Sequence, residues 1–227
     1  MSKLYLGRAR LKRDVPLAAL AALLVPKTSE ARTAAAHRLV WALFADTPKR
    51  ERDFLWREEK PGMFMTLSTR PPVDLHDLFV LDHQEFTPTL TTGDRLAFSL
   101  RANATVARSG ASATRSHRAD VVMDALKSLP PDTRAEARRA AVVTAGRLWL
   151  FGQGRRAGFV PDEDVAVDGY DQRRLPREEG APLRFSSLDF DGRLTVTDPD
   201  LFLRHLALGF GRAKAFGCGL MLIRRAR

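Results

Sequence analysis

The first half of the chain alternates strand patterns with helix patterns. Residues 3–11 alternate between two sets of side chains with a period of two, which predicts a strand. Apolar residues then recur at helical spacing from Ala36 to Phe44, which predicts a helix over 31–45 that Pro48 ends. The other predicted elements are short helices over 17–24 and 74–79 and strands over 53–57, 63–69, 85–87 and 96–102. Apart from the linker helix at 17–24, the order begins β–α–β–β–α–β, as in the ferredoxin-like fold, whose helices cover one face of an antiparallel sheet.

The second half shows a looser version of the same plan. A helix is predicted over 133–151, and Asp198, as an N-cap before Pro199, predicts another that Gly209 ends. The predicted strands are 165–170, 183–190, 193–196 and 220–225, with a hairpin turn at Asp191-Gly192. We therefore predict an α+β protein of tandem ferredoxin-like (RRM-like) domains over 1–103 and 132–227, joined by a basic loop over 104–131.

The composition is typical of a globular protein. Hydrophobic residues make up 44% of the 227 residues, enough for a core, and no apolar run reaches the length of a membrane span. The apolar stretch 15–25 lacks the usual small-residue cleavage site of a secretory signal. The single cysteine, Cys218, excludes an internal disulfide framework and a multi-cysteine metal site. We expect a soluble cytoplasmic protein.

The net charge of +10 is concentrated in two segments. Residues 95–119 and 201–227 hold eleven of the 37 Lys and Arg and none of the 27 Asp and Glu, so the rest of the chain is nearly neutral. Two acid-free segments are expected if both line a surface that binds a polyanion. Arginine suits phosphate because its planar guanidinium can donate two parallel hydrogen bonds. The alternative is a basic surface that only solubilises the protein.

Four glycines and two cations occur within residues 209–219. Glycine allows backbone N–H groups to approach a ligand closely, and neighbouring cations favour phosphate. A dinucleotide-binding motif is excluded because only eight residues follow Gly219, and a Walker loop is excluded because no Ser or Thr follows a Gly-Lys pair. The stretch is equally compatible with phosphate binding and with a helix C-cap followed by a tight turn.

The five histidines do not have the spacing to Cys, Asp or Glu that a closed metal site requires, so no metal site is predicted. His37 is distinguished by its position. On the predicted helix it lies about 90° from the centre of the apolar stripe, at the rim where clefts form. Arg38 is adjacent to it and Trp41 follows one turn later. Periodicity alone leaves open whether His37 is functional or an ordinary residue at the rim.

Five stretches occur in an order that matches a known family. They are AHRLVWALF at 36–44, RDFLWR at 52–57, FSLRAN at 98–103, FDGRLTV at 190–196 and the glycine-rich residues 209–219 with Lys214. With them, and with the N-terminal strand, nearly the whole chain resembles the CRISPR repeat-processing endoribonucleases of type I-E Cascade complexes (the CasE family). The glycine-rich stretch and the Leu-Arg-Ala-Asn segment are the most specific of the five.

The resemblance implies tandem ferredoxin-like domains that bind the hairpin of a CRISPR repeat and cut the precursor RNA at the 3′ base of that hairpin. The cut requires no metal or other cofactor and leaves a 2′,3′-cyclic phosphate. The enzyme then stays on the guide RNA as a Cascade subunit, in contact with other subunits such as the adjacent backbone subunit and with no membrane. The residues expected to bind RNA are Arg38, Arg101, Arg108, Arg115, Arg118, Gly209, Gly211, Arg212, Lys214, Gly217 and Gly219.

The family's catalytic histidine corresponds to His37. Family members can carry a tyrosine three residues earlier, where this chain has Ala34, and the only tyrosines here are Tyr5 and Tyr170. RNA supplies its own nucleophile, the 2′-hydroxyl, so the protein must orient the sugar, transfer protons and stabilise charge. An imidazole can transfer protons near neutral pH, and Arg38 or Lys214 could stabilise the developing charge.

The basic loop over 104–131 is then predicted to contact the RNA stem, as a loop or hairpin that becomes ordered on binding. Two other functions compete with the enzyme. Ala34 favours a non-catalytic subunit that only holds the 3′ hairpin of the guide RNA. An RNA-binding module of the RRM type, unrelated to CRISPR, would carry an aromatic strand motif that is not evident in the chain.

Overall fold

A computed structural model describes residues 3–12, 29–45, 51–109, 116–175 and 180–226. The predicted helix over 17–24 lies outside the described residues, as do Pro48 and Arg115. The chain forms two compact units. Unit 1 comprises Met1–Thr89, Arg173–Arg184 and Ala213–Leu220, and unit 2 comprises Leu90–Gln172, Phe185–Arg212 and Met221–Arg227. None of the described helices is long and apolar enough to cross a membrane.

Unit 1 contains a four-stranded antiparallel sheet and one described helix. The strands run in the order β2-β3-β1-β4, so β3 and β1 are central. Their side chains bury an aromatic core with the helix, in which Phe44 and Phe54 stack with their ring centroids 4.2 Å apart. The elements are β1 (Tyr5–Leu11), α1 (Ser29–Ala42), β2 (Phe54–Lys60), β3 (Met63–Ser68) and β4 (Phe79–Glu85).

This strand order is that of the ferredoxin-like fold, but the predicted helix over 74–79 and the predicted strand over 85–87 are wrong. A turn occupies 75–77, and β4 begins at Phe79 and pairs with β1 along its whole length. The cause is Asp74, whose carboxylate accepts hydrogen bonds from the backbone N–H groups of His76 and Phe79, at 3.3 and 2.6 Å. An Asp side chain that bonds to nearby backbone groups stabilises a turn in place of a helix.

Unit 2 repeats the plan with a second antiparallel sheet. The strands β11-β5-β10-β8 lie side by side in that order, and β9 pairs with β10. A two-stranded hairpin, β6–β7, and two helices lie between β5 and β8 along the chain, and one helix lies between β10 and β11. The elements are β5 (Arg95–Ala102), β6 (Thr105–Ser109), β7 (Ser116–Asp120), α2 (Val121–Lys127), α3 (Arg134–Ala157), β8 (Phe159–Pro161), β9 (Ala166–Leu175), β10 (Leu183–Val196), α4 (Pro199–Leu208) and β11 (Met221–Arg225).

The tandem ferredoxin-like fold class is therefore confirmed, but one strand was predicted in the wrong half. The pattern over 96–102 forms β5, which pairs with β10 and β11 and is the first strand of the second sheet. Its buried alternate residues, such as Leu96 and Leu100, show that the strand has an apolar face. Such a pattern predicts a strand without specifying its partners, because any sheet that buries this face satisfies it.

The ends of α4 agree with prediction. The Asp198 carboxylate accepts a hydrogen bond from the backbone N–H of Leu201 at 2.9 Å, and Pro199 occupies the first turn. At the other end, the backbone N–H of Gly209 donates to the carbonyl of His205 at 2.8 Å. Side-chain caps of this kind depend on residues close in sequence, which is why they could be recognised before the structure.

The predicted hairpin turn at Asp191-Gly192 is wrong, because β10 runs through it without interruption. Asp191 pairs with Ser99 and Gly192 with Phe98 in a regular ladder to β5. The glycine is required by packing: a Cβ atom at residue 192 would lie 2.8 Å from Cγ2 of Val165. Glycine within a strand often marks a place where another segment approaches closely.

We predict that Gly192→Ala destabilises the protein by about 1–3 kcal/mol, since the added methyl group overpacks the contact with Val165. The matched control is Gly152→Ala, within α3, where only the Arg156 guanidinium lies near the new methyl group, at 3.8 Å. That change should leave stability equal or raise it, because alanine favours a helix. Urea unfolding of both variants measures the difference, and a Gly192→Ala protein as stable as the wild type would contradict the packing argument.

Candidate active site and nucleic-acid interface

Helix α1 is fixed in unit 1 at its C-terminal end. Val40, Leu43 and Phe44 are buried in the core, and the carbonyl of Leu43 accepts a hydrogen bond from the backbone N–H of Val73 at 3.0 Å. The Arg70 guanidinium donates to the carbonyl of Phe44 and to the carboxylate of Asp53, the latter at 2.8 Å. These contacts fix the position of α1 in unit 1, and with it the position of His37 on that helix.

His37 is half-buried against a 3₁₀ turn at Lys214–Phe216. Its Nδ1 atom lies 2.8 Å from the carbonyl oxygen of Ala215. The ring also contacts Phe216, with centroids 5.6 Å apart, and meets Trp41 edge-on at 6.2 Å. The imidazole is thus held by one hydrogen bond and two aromatic rings.

The hydrogen bond fixes the tautomer of His37. A carbonyl oxygen can only accept, so Nδ1 must carry the proton and donate it. In the neutral ring, Nε2 then has a free lone pair. This nitrogen can accept a proton from a substrate, and in the charged ring it can return one. The arrangement is that of a general base or acid whose orientation is set by its second nitrogen.

The 3₁₀ turn is itself held by β2. The indole N–H of Trp56 donates to the same Ala215 carbonyl at 3.2 Å. Gly217 follows the turn with a φ of +79°, and a Cβ atom there would lie 3.2 Å from the Trp56 ring. Glycine is therefore required at residue 217 by both the backbone conformation and the close contact. Gly219 is buried just before β11, and for this part of the glycine-rich stretch the structure shows the tight turn.

We predict that neutral His37 carries its proton on Nδ1. The ¹⁵N chemical shifts of the labelled imidazole, recorded in alkaline buffer, distinguish the two tautomers. Gly217→Ala should displace the turn and change the His37 signals. The control is His205, whose Nδ1 lies 3.0 Å from the carbonyl of Leu201 and whose signals should stay unchanged. A neutral His37 protonated on Nε2 would contradict the assignment.

Ala34 of α1 cannot supply a second proton-transfer group. Ala34, one turn before His37, presents only a methyl group. Tyr170 donates its hydroxyl to Asp120 at 3.0 Å, and both burial and the Asp120 charge raise the pKa of this phenol, so it remains protonated. The cations nearest in sequence to the site are the exposed Arg38, next to His37, and Lys214, next to Ala215.

Unit 2 contains a cleft of about 780 Å³ that brings together five of the residues predicted to bind RNA. Its walls come from the β6–β7 hairpin, α2, α3 and the residues after α4. The five residues are Arg108 and Arg118 from the hairpin and Gly209, Gly211 and Arg212 from the glycine-rich stretch. The two acid-free segments therefore do meet on one surface of this unit.

Part of the positive charge is neutralised within the protein, however. Arg101 donates from both Nε and Nη2 to Asp189, at 2.7 and 2.8 Å, so its guanidinium is occupied by a carboxylate. Arg108 makes a similar contact with Asp124, which lowers the pKa of that carboxyl. Arg95 pairs with Asp162, and Arg225 with Asp94. Four arginines of the two acid-free segments are thus paired with carboxylates that lie outside those segments.

The cleft also contains residues that the charge pattern did not indicate. Leu148, Gly152 and Arg156 lie four residues apart on α3 and share one face of that helix. Leu148 is 69% exposed, unusual for leucine. Their helical spacing was visible in the sequence, but α3 belongs to the nearly neutral remainder of the chain.

The described residues hold no group of three or more His, Cys, Asp and Glu side chains that could bind a metal ion.

The fold and site define a protein with two ferredoxin-like units, one with a positioned histidine and one with an arginine-lined cleft. A family model described as "CRISPR associated protein" matches residues 1–225, and the chain belongs to this family. The chain is 31% identical over 183 residues to the CRISPR-associated endoribonuclease Cse3 of Thermus thermophilus. That alignment covers 77% of this chain and 80% of Cse3. It is 25% identical over 190 residues to the Cascade subunit CasE of Escherichia coli, covering 82% and 88%.

Solved structures have the same fold. Cse3 bound to a 19-nucleotide RNA superposes with a TM-score of 0.67 and 22% identity, over 99% of each chain. The Cas6e protein of Escherichia coli superposes with a TM-score of 0.61 and 20% identity, over 98% of this chain and 100% of that one. At these identities the likeness is one of fold, and it extends over both units.

Proposed function

We propose that this chain is a cytoplasmic, metal-independent endoribonuclease that cuts CRISPR precursor RNA at the 3′ base of the repeat hairpin. After cleavage it stays on the guide RNA as a Cascade subunit. The hydrogen bond from His37 Nδ1 to Ala215 carries the proposal, because it orients an imidazole for proton transfer. Support comes from the relatives, one named an endoribonuclease and the other a Cascade subunit, and from a related Cse3 solved with an RNA that represents a pre-cleavage complex.

The reaction uses the 2′-hydroxyl beside the scissile phosphate as the nucleophile. His37 Nε2 accepts the proton of this hydroxyl as its oxygen forms a bond to phosphorus, and the bond from phosphorus to the 5′-oxygen breaks. The products are a 2′,3′-cyclic phosphate and a 5′-hydroxyl, whose oxygen takes its proton from solvent water. Arg38 and Lys214 are the proposed cations that stabilise the charge on phosphorus. A metal-bound water is not required, since the nucleophile belongs to the RNA.

We predict that His37→Ala lowers the cleavage rate by about 10²–10⁴-fold, the usual contribution of general acid–base catalysis, and leaves RNA affinity unchanged. Cleavage of the cognate repeat RNA in EDTA measures the first, and filter binding the second. The control is His76→Ala, since His76 is an exposed residue of unit 1. A repeat RNA with 2′-deoxyribose at the cut should bind and stay intact.

The outcomes of this assay separate the alternatives. Tight binding without cleavage by the wild type would favour a non-catalytic subunit that only holds the guide hairpin. This is the alternative that the presence of Ala34 leaves open. Cleavage that EDTA abolishes would overturn the metal-independent mechanism. Full activity of His37→Ala would remove His37 from the reaction.

The arginine-lined cleft of unit 2 is proposed to bind the hairpin stem. A double-stranded RNA stem has a deep, narrow major groove, so its recognition depends on phosphates and shape. Arg118 and Arg212 are exposed in this cleft, and Arg156 adds a third cation from α3. Arg115 is also proposed to bind the RNA, and it lies outside the described residues. Arg101 is a weaker candidate, because Asp189 occupies its guanidinium.

We predict that Arg118→Ala combined with Arg212→Ala weakens binding of the repeat hairpin and flattens its dependence on salt. For every phosphate that an arginine no longer neutralises, the negative slope of log K against log salt should become shallower by about 0.7–0.9. Arg204→Ala is the matched control, since Arg204 is an exposed arginine that does not line the cleft. Titrations at several salt concentrations give the slope, and equal slopes for the wild type and the double variant would remove these arginines from the interface.

A further inference from the structure

A chain of buried and half-buried hydrogen bonds in unit 2 ends at the glycine-rich stretch. The Tyr170 hydroxyl donates to Asp120 at 3.0 Å, and the Ser186 hydroxyl donates to the other oxygen of the same carboxylate. The Asn103 side-chain N–H₂ group donates to the carbonyl of Ser186 at 2.8 Å. The carbonyl of Asn103 accepts a hydrogen bond from the backbone N–H of Arg212 at 3.2 Å. We call Tyr170, Asp120, Ser186 and Asn103 the polar chain.

The polar chain is fixed at both of its ends. Asp120 is the N-cap of α2 and accepts a hydrogen bond from the backbone N–H of Met123 at 2.7 Å. At the other end, Gly211 lies so close to Asn103 that a Cβ atom on it would be 2.6 Å from the Asn103 carbonyl oxygen. Asn103 and Ser186 are only 6% and 5% exposed. Loss of one partner would therefore leave a buried polar group without its hydrogen bond, which costs more than the bond itself contributes.

The carboxylate of Asp120 receives three donors: the Tyr170 hydroxyl, the Ser186 hydroxyl and the Met123 N–H. Because burial and the Asp120 charge raise the pKa of Tyr170, this phenol remains a donor throughout the physiological range. The Tyr170 end of the polar chain therefore keeps its hydrogen bond to Asp120.

The polar chain connects two walls of the arginine-lined cleft. Asp120 follows Arg118 by two residues at the end of β7, and Asn103 holds Arg212 through its backbone. Both arginines lie on the cleft, but the four residues of the polar chain are absent from its lining. They can therefore influence a bound ligand only through the cleft residues that they hold.

We propose that Ser186 and Asn103 are positioning residues that set the distance between Arg118 and Arg212, and so match the cleft to the phosphate spacing of the RNA stem. This inference rests on the proposed function of the cleft. Two cations discriminate between ligands by spacing only if their separation is fixed, and a hydrogen-bonded polar chain with a buried centre at Asn103 and Ser186 is a rigid connection between them. Ser186 lies at its centre, bonded to both Asp120 and Asn103.

The test is a double-mutant cycle on the affinity for the cognate repeat hairpin RNA. Ser186→Ala should lower the affinity about tenfold, corresponding to the loss of one buried hydrogen bond. In the Arg212→Ala background the same change should have less than about a twofold effect, since the group it positions is gone. In the Arg204→Ala background it should keep its full effect. Equal effects of Ser186→Ala in all three backgrounds would overturn the inference.

Two further measurements separate positioning from stability. Asp198→Ala removes the N-cap of α4 in the same unit and should lower the melting temperature while leaving RNA affinity unchanged. Without RNA, hydrogen exchange at the backbone N–H of Arg212 should be faster in Ser186→Ala and in the milder Tyr170→Phe than in the wild type. Unchanged exchange would overturn the inference even if RNA binds. A wild-type protein that does not bind the hairpin would instead overturn the proposed function, whatever the exchange shows.

Discussion

The candidate active site depends on one backbone oxygen, the carbonyl of Ala215, which accepts hydrogen bonds from both the His37 imidazole and the Trp56 indole. A partly buried carbonyl in a 3₁₀ turn needs donors, and unit 1 supplies two from different elements, α1 and β2. The same bond that satisfies the carbonyl determines which nitrogen of His37 is available for chemistry. The core around α1, the positive φ of Gly217 and its contact with Trp56 all serve to bring this oxygen to the ring.

The parts of the fold that depend on residues close together in the chain could be predicted from the sequence. The neighbouring strands β2 and β3, predicted over 53–57 and 63–69, and the caps of α4 involve groups within a few residues of each other, and both were predicted correctly. The partners of β5 and the uninterrupted course of β10 through Gly192 depend on contacts with distant segments. A glycine can mean a turn or a close contact, and only the three-dimensional neighbour, here Val165, decides between them.

The same distinction between local and distant contacts separates what could and could not be predicted of the candidate site. His37 could be found from its place at the rim of an amphipathic helix, and resemblance gave it a role. Its partner could not, because a backbone carbonyl has no residue type to recognise. The charge pattern correctly indicated that the hairpin and the glycine-rich stretch lie on one surface. It could not show that Asp189 and Asp124 neutralise Arg101 and Arg108, since these carboxylates lie outside the acid-free segments.

The contact between Arg108 and Asp124 has a consequence for how the cleft selects its ligand. A phosphate that takes Arg108 must displace a carboxylate already in place, so one anion is exchanged for another and the net attraction is small. Asp124, once displaced, repels any nearby phosphate that is not held by the arginine. If the cleft binds RNA as proposed, the pair of Arg108 and Asp124 therefore adds little to the strength of binding.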